Sequence, residues 1–229
     1  MRYNGRDFSD FGVHVDESKA FGSPEKDYEL IEVVGRNGNL SIYNDRFKDI
    51  VLSFPCFIRS GFIEKYRNLL AYLNSLNGYQ RLETEKEPNH FRKALFTGSV
   101  DVQTTPWNQG GFFTINFSAL PQRFLKTGEN WTTVSSSLRN PTLFPSKPII
   151  RVWGNGSLQI NSVTVTVANS PYEYVDIDCE LMDCYYGSNN ANSYVSFSTT
   201  DYVTLQSGVN SFVINGFTKV EIKPRWYEV

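Results

Sequence analysis

The chain contains few of the residues that build catalytic or metal centres. Among its 229 residues are two histidines and three cysteines. Zinc sites need several His or Cys ligands at close spacing, and neither CxxC nor HExxH occurs. Nor is there a GxSxG elbow or a GxxxxGK[ST] or GxGxxG phosphate loop. We therefore expect no enzyme, no cofactor and no metal.

Disulfides, secretion and nucleic-acid binding also lack support. The cysteines, Cys56, Cys179 and Cys184, are odd in number, so we expect buried, reduced thiols. The opening MRYNGRDFSDFG has no signal-peptide core, and no run approaches the ~18–20 apolar residues that span a bilayer. A net charge of −2 argues against general nucleic-acid binding. We expect synthesis in the cytoplasm and no membrane insertion.

The chain is rich in aromatic residues, and its amino-acid composition changes near residue 126. Seventeen Phe and thirteen Tyr can fill substantial cores. Residues 1–126 carry 16 of the 22 Lys and Arg and 15 of the 24 Asp and Glu, whereas the remainder is rich in Ser, Thr, Asn and Val. Prolines 121, 141, 145 and 148 punctuate the connection. We predict two domains, 1–128 and 129–229.

The first domain contains one clear helical pattern, over residues 61–76. Its apolar residues fall on one stripe at helical period, with charged residues on the opposite face. Ser60 is placed to cap the start and Gly78 to stop the end. The members of the predicted stripe are Ile63, Tyr66, Leu69, Leu70, Leu73 and Leu76.

The other patterned segments predict strands, which makes the chain mainly β. A hairpin is expected from 28–34 and 40–43 across the Gly35–Asn39 stretch, followed by strands at 49–58, 91–103 and 111–118. In the second half, short strands separated by Gly and Asn turns predict an antiparallel β-sandwich. Its segments are 148–153, 157–167, 174–182, 193–197, 202–205, 211–214 and 219–226.

Three carboxylates at spacing two, Asp176, Asp178 and Glu180, are the sharpest candidate cluster. On one strand they share a face, which allows a Ca²⁺ site or a glycosidase acid–base pair. The simpler interpretation, which we favour, is the solvent-facing side of a half-buried strand. The same strand should send Val175, Ile177, Cys179 and Leu181 to the core, and Cys179 and Cys184 should point to opposite faces.

The four tryptophans and four of the tyrosines allow another interpretation. Surface tryptophans and tyrosines on a β-sandwich are typical of sugar-binding modules, whereas core packing is the commoner use. A carbohydrate-binding module is therefore the alternative function. The residues concerned are Trp107, Trp131, Trp153, Trp226, Tyr172, Tyr174, Tyr185 and Tyr186.

Several segments in order resemble the distal tail (Dit) proteins of long-tailed siphophages. The resemblance covers nearly the whole chain and includes the opening Tyr3–Gly12, the Gly35–Gly38 turn, the helix followed by Glu87–Ala94, and Phe112–Phe117 leading to Pro121. In the second half it continues through these segments: Asn140-Pro141-Thr142, Pro148–Ile150, Gly154-Asn155-Gly156, Asp176–Glu180, Leu205–Asn210 and Pro224-Arg225-Trp226.

This resemblance implies an N-terminal ring-forming domain and a C-terminal galectin-like sandwich. It further implies that six copies form a ring at the virion tail tip, in a phage or prophage context. That ring links the tail tube protein to the tail-associated lysin or spike and anchors receptor-binding proteins. No inserted carbohydrate-binding module fits in a chain of this length.

Overall fold

The computed structural model describes residues 1–18, 23–98, 102–106 and 109–229. The fold is mainly β with one α-helix, which confirms the predicted class. The chain divides into two compact units, unit 1 (Met1–Arg123) and unit 2 (Phe124–Glu228). Trp107, and parts of the strand predicted over 91–103 and of the turn that follows it, lie outside the described residues.

Unit 1 is built on one antiparallel sheet with the order β2-β1-β7-β8-β10-β6-β3, and β9 pairs with β10. A separate two-stranded hairpin, β4-β5, leaves this sheet between β3 and β6. The elements are β1 (Arg2–Tyr3), β2 (Arg6–Asp7), a 3-10 turn (Phe8–Phe11), β3 (His14–Val15), β4 (Lys26–Ile31), β5 (Leu40–Phe47), β6 (Ile50–Ile58), α1 (Phe62–Ser75), β7 (Gln80–Glu83), β8 (His90–Phe96), β9 (Val102–Thr104) and β10 (Gly111–Ala119).

The core of unit 1 lies on one face of the β6–β10 ladder. These strands pair over nine residues, from Gly111 opposite Ile58 to Ala119 opposite Ile50. Every second residue of both is buried, as the period of a strand requires. Three of these side chains, Phe54, Ile115 and Phe117, are fully enclosed.

Helix α1 covers this core but is shorter than predicted by one residue at each end. It begins at Phe62 and ends at Ser75, so the predicted start at 61 and end at 76 are both flanking positions. Ser60 does not cap it, because the N-cap is Gly61, at φ 65°, with no side-chain hydrogen bond. Gly78 lies beyond the end, where Leu76 is the C-cap.

The apolar stripe of α1 is also shifted by one position at its start. Leu69 and Leu73 are buried as predicted, but Ile63 is 45% exposed and Phe62 is buried in its place. The Phe62 ring packs against Phe113 of β10, with centroids 6.0 Å apart. An aromatic side chain reaches further than a β-branched one, so the helix turns Phe62 toward the sheet.

Unit 2 consists of two antiparallel sheets, in the orders β12-β22-β14-β17-β18-β19 and β13-β21-β15-β16-β20. β11 (Arg123–Leu125) starts at the unit boundary and pairs with β23. The other strands are β12 (Thr132–Thr133), β13 (Ser137–Asn140), β14 (Ile149–Trp153), β15 (Gly156–Ile160), β16 (Val163–Val167), β17 (Tyr174–Asp178), β18 (Asp183–Tyr186), β19 (Asn189–Asn190), β20 (Val195–Phe197), β21 (Gly208–Asn215), β22 (Lys219–Lys223) and β23 (Tyr227–Glu228).

One hydrophobic cluster joins the two sheets of unit 2, which makes it a β-sandwich. Ile150 and Ile177 contribute from one sheet, and Leu158 and Val165 from the other; all four are at most 1% exposed. The prediction of a strand over 202–205 is wrong. Within this segment only Leu205 pairs, through an isolated β-bridge to Ser146.

The strand predicted over 174–182 is in fact a hairpin. β17 ends at Asp178, the chain turns over 179–182, and β18 returns beside it. Leu181 was expected in the core but is 68% exposed, because it sits in this turn. Cys179 and Cys184 both point into the same core rather than to opposite faces.

Candidate functional site

The β4–β5 hairpin, which we call the arm (residues 26–47), exposes an unusual amount of apolar surface. Neither strand pairs with any other strand of the described chain. Leu30 is 62% exposed and Val34, in the connecting turn, is fully exposed. The exposed apolar side chains of the arm are Tyr28, Leu30, Ile31, Val33, Val34, Leu40, Ile42 and Tyr43.

Both faces of the arm carry these side chains. Tyr28 lies opposite Tyr43, with ring centroids 5.2 Å apart, and Leu30 follows on the same face. Ile31 lies opposite Leu40 on the other face. The other described residues leave apolar side chains exposed on both faces, and exposed apolar surface of this kind marks contacts with other molecules.

Charged residues hold the base of the arm. Arg46 Nε donates to Asp27 Oδ2 at 2.7 Å, and Lys48 Nζ lies 3.8 Å from Asp27 Oδ1. The hydrogen bond from Arg46 lowers the pKa of Asp27. These contacts lie beside an irregularity in the pairing of the hairpin, between Lys26 and Tyr28.

A second exposed apolar surface lies on the face of the β6–β10 ladder that points away from the core. Val51 is 73% and Phe112 61% exposed. Phe57 is half-buried, with its ring centroid 6.0 Å from that of Phe112. We call Phe57 and Phe112 the outer patch. Val51 lies on the same face but six residues away along β6, beyond Ser53 and Pro55. The His14 ring stacks on Phe57 at 4.7 Å, so this histidine serves packing.

The hairpin was predicted from the sequence, but the exposure of its apolar side chains was not. The one available signal was YELIEVV, in which Tyr28, Leu30 and Ile31 leave no fully polar face. A two-stranded hairpin alone is at most marginally stable in water. A hairpin with two apolar faces is therefore a candidate surface for assembly, and with the outer patch it is the strongest functional candidate among the residues that the structure describes.

The predicted carboxylate cluster is not a solvent-facing row. Asp176 and Asp178 are buried, at 4% and 1% exposure, and each is held by an arginine. Arg151 Nε and Nη2 donate to Asp176 at 2.6 and 2.7 Å, and Arg225 Nη1 and Nη2 donate to Asp178 at 2.7 and 2.8 Å. Glu180 lies apart, in the exposed turn.

Asp178 organises the β17–β18 turn. Its Oδ1 also accepts from the backbone N–H groups of Glu180 and Leu181, at 3.0 and 3.1 Å. Burial raises its pKa, but the bonds from Arg225 and from these amides outweigh burial and leave the pKa below its usual value. The group is an ionised structural anchor, unlike a general acid, which needs a raised pKa.

Tyr172 and Tyr186 stack on each other, with ring centroids 4.9 Å apart. Three other aromatic residues of unit 2 lie against the chain's own cations. The Arg151 guanidinium lies 4.6 Å from the Trp131 centroid and 4.3 Å from that of Tyr174. Lys219 lies 4.7 Å from the Trp153 centroid. The Trp153 and Tyr174 rings are inclined at 47°, so they do not form one flat platform. Trp226 is buried in the core.

The three cysteines are free and buried, as predicted. Burial raises the pKa of Cys56, Cys179 and Cys184 to about 12. Thiolates are the reactive form, so the folded protein should resist a thiol reagent near neutral pH. We expect Ellman's reagent to detect almost no thiol in the native protein at pH 8 and all three in denaturant. Rapid labelling of a native thiol would contradict this burial.

The described part of the chain contains no group of three or more His, Cys, Asp or Glu side chains that could hold a metal ion. Over the same residues, no helix is long and apolar enough to cross a membrane.

Three solved structures that this chain resembles belong to phages. The SPP1 Dit protein, described as a paradigm of the hub adsorption apparatus in phages that infect Gram-positive bacteria, matches with a TM-score of 0.68 and 14% identity, over 96% of this chain and 95% of that one. Two structures of the activated phage P2 baseplate, with Ca and with Sr, match at TM-scores of 0.54 and 0.55, 9% identity, and 95% and 91% coverage. No family model and no curated protein matches. The predicted resemblance is thus confirmed at the level of the fold.

Proposed function

We propose, from the fold shared with the SPP1 Dit hub protein, that this chain is the structural hub of a siphophage tail tip or baseplate. In this proposal six copies close into a ring. The ring joins the tail tube protein to the tail-associated lysin or spike and anchors receptor-binding components. Its role is mechanical assembly, and it carries out no catalysis and recognises no nucleic-acid sequence.

The two parts of the chain would divide this work. Residues 1–128 would form the ring, and residues 129–229 would be the galectin-like sandwich that projects toward other baseplate proteins. Support for the first assignment comes from the arm and the outer patch, which both belong to residues 1–128. Support for the second comes from the two-sheet sandwich of unit 2.

The observation that carries the proposal is the exposure of two different apolar surfaces on unit 1. A cyclic ring needs a head-to-tail contact, in which one patch of each copy meets a different patch of the next. We assign the arm as one patch and the outer patch as the other. Burial of Leu30 against Phe57 and Phe112 of a neighbouring copy would remove apolar side-chain surface from water, which contributes about 25 cal/mol for each Å² buried.

The carbohydrate-binding alternative receives little support from the same observations. Stacking of a sugar requires exposed ring faces, and the Trp131 and Tyr174 rings each have the Arg151 guanidinium against them. Asp176, a candidate for glycosidase chemistry, is held in two charge-assisted hydrogen bonds by that arginine.

Electron microscopy of the purified protein tests the ring. Two-dimensional class averages at micromolar concentration should show closed rings with six-fold symmetry and an open centre. Monodisperse single subunits, or open filaments of varying length, would contradict the proposal, since a head-to-tail contact that does not close gives filaments.

A further inference from the structure

Four asparagines of this chain are followed directly by glycine: Asn37, Asn77, Asn155 and Asn215. Asparagine is among the thermally labile residues of proteins. It reacts when the backbone nitrogen of the next residue attacks the side-chain amide carbon, and a following glycine, which has no side chain, hinders this attack least. The reaction also requires the Asn–Gly peptide to rotate, so the surrounding structure decides which of the four asparagines react.

The two Asn–Gly pairs of unit 2 hold each other in place. A Cβ atom added at Gly156 would clash with the backbone oxygen of Asn215. One added at Gly216 would lie 2.9 Å from the backbone oxygen of Asn155. Packing as close as this leaves neither peptide room to rotate. The side chain of Asn155 is also fixed, because Ser170 N donates to its Oδ1 at 2.9 Å.

Asn77, between α1 and β7, is exposed but partly restrained. Gln80 Nε2 donates to the backbone oxygen of Asn77 at 2.7 Å. That oxygen belongs to the same peptide unit as the Gly78 nitrogen, which is the attacking group. The hydrogen bond should therefore slow the reaction at Asn77.

Asn37 is the least restrained of the four. It lies in the turn between β4 and β5 of the arm, and both Asn37 and Gly38 are exposed. Among the described residues, neither of them has a hydrogen-bond partner. A Cβ atom added at Gly38 would meet nothing within 4 Å. An exposed turn with so few contacts can make the local motions that the reaction requires.

We propose that Asn37 is a site of spontaneous deamidation in the free subunit. The Gly38 nitrogen gives up its proton to solvent and forms a bond to Asn37 Cγ. The bond from Cγ to Nδ2 then breaks, and the amide nitrogen takes up a proton from water and leaves as ammonia. Water opens the resulting succinimide ring at either carbonyl, which gives aspartate or isoaspartate and adds a negative charge to the arm.

This charge bears on assembly, because it lies in the same turn as the fully exposed Val34. In the proposed ring the apolar surface of the arm passes from water into a contact between copies, where an unpaired carboxylate is costly. Subunits that remain free for long would therefore become poor partners for ring closure. This consequence rests on the proposed function, whereas the reaction itself does not.

Peptide mapping by mass spectrometry tests the reaction. Phe112→Asp is the protein to use, because it lacks the outer patch and its arm stays uncovered whether or not the wild type forms rings. After incubation at pH 9, Asn37 should be lost to aspartate and isoaspartate, while Asn155 and Asn215 keep their amides. Loss of either of these two as fast as Asn37, or an unchanged Asn37, would overturn the proposal.

Asn37→Gln, made in the same Phe112→Asp background, is the matched control. It keeps an amide at this position, but its side chain is one carbon longer and closes a less favourable ring. Its arm peptide should therefore keep its mass through the same incubation. An equal mass change in this variant would place the reaction at another residue and overturn the assignment to Asn37.

The effect on assembly is measured separately, in proteins that retain Phe112. Asn37→Asp carries the product charge from the start, so light scattering should show less ring than for Asn37→Gln at equal concentration. Equal assembly of these two variants would overturn the consequence for ring closure and leave the reaction standing. Monomers in both variants and in the wild type would contradict the proposed function instead.

Discussion

Leu30→Asp should leave each subunit folded and abolish closure of the ring. Leu30 lies on the arm, 62% exposed, so it contributes nothing to the core of its own unit. In the proposed ring its side chain becomes buried between copies, where a carboxylate would lose its hydration without gaining a partner. Truncation at such central positions typically costs about 2 kcal/mol or more, about 30-fold in affinity.

Light scattering gives the readout, with circular dichroism as the check on folding. Val209→Asp is a matched control, since Val209 is 66% exposed on β21 of unit 2 and lies on neither proposed patch. This variant should keep the mass of the wild type. If Leu30→Asp assembled as well as Val209→Asp, the arm would not be the ring contact.

Mixing two defective variants tests whether the contact is head-to-tail. Phe112→Asp removes the outer patch but keeps the arm, and Leu30→Asp removes the arm but keeps the outer patch. Each pair of unlike subunits then retains one intact contact. Equimolar mixing should give heterodimers and no larger species, whereas either variant alone stays monomeric. Restoration of full rings by mixing would show that the two patches do not meet each other.

Arg225→Met should destabilise unit 2 by about 3–5 kcal/mol, the range for a buried ion pair that loses one partner. The Asp178 carboxylate is 2% exposed and would remain buried without its two charge-assisted hydrogen bonds. Urea unfolding followed by tryptophan fluorescence measures this, since Trp131, Trp153 and Trp226 belong to unit 2.

Lys219→Met is the matched control for this prediction. It removes the pair of Lys219 with Glu221, at 2.7 Å, in which the lysine side chain is 46% exposed. Surface pairs of this kind contribute about 0–1 kcal/mol, so its free energy of unfolding should stay within that range of the wild type. A loss for Arg225→Met no larger than for Lys219→Met would contradict the structural role of Asp178.

The same pair predicts a pH dependence of stability. Because the folded pKa of Asp178 lies below its unfolded value, the pair stabilises the wild type fully above the ordinary aspartate pKa. This contribution disappears as the pH falls through the lowered folded pKa. In Arg225→Met, burial is opposed only by the two backbone amides, so the pKa of Asp178 should be higher than in the wild type and protonation should relieve the penalty. The difference in free energy of unfolding between the wild type and Arg225→Met should therefore become smaller as the pH is lowered from 7 toward 3.

The periodic features of the sequence were predicted well, because they follow from local chemistry. The alternation in β6 and β10 and the stripe around Leu69 and Leu73 reflect which face meets the core. The ends of α1 were less well predicted, because the choice between Phe62 and Ile63 depends on Phe113, a residue distant in sequence.

The functional surfaces were harder to predict, because each depends on partners far along the chain or outside it. The sequence pattern around Asp178 is that of a solvent-facing carboxylate, because its partner Arg225 lies 47 residues farther along the chain. Leu30 alternates along its strand like a core residue. The neighbouring residues give no sign that the core of unit 1 is formed by other strands.

The mass of the purified protein in solution tests the central claim most directly. Multi-angle light scattering on the wild type at micromolar concentration should give six times the 26.2 kDa mass of one chain and no intermediate species. A stable 26.2 kDa monomer at that concentration would contradict the account of this protein as a self-assembling tail hub.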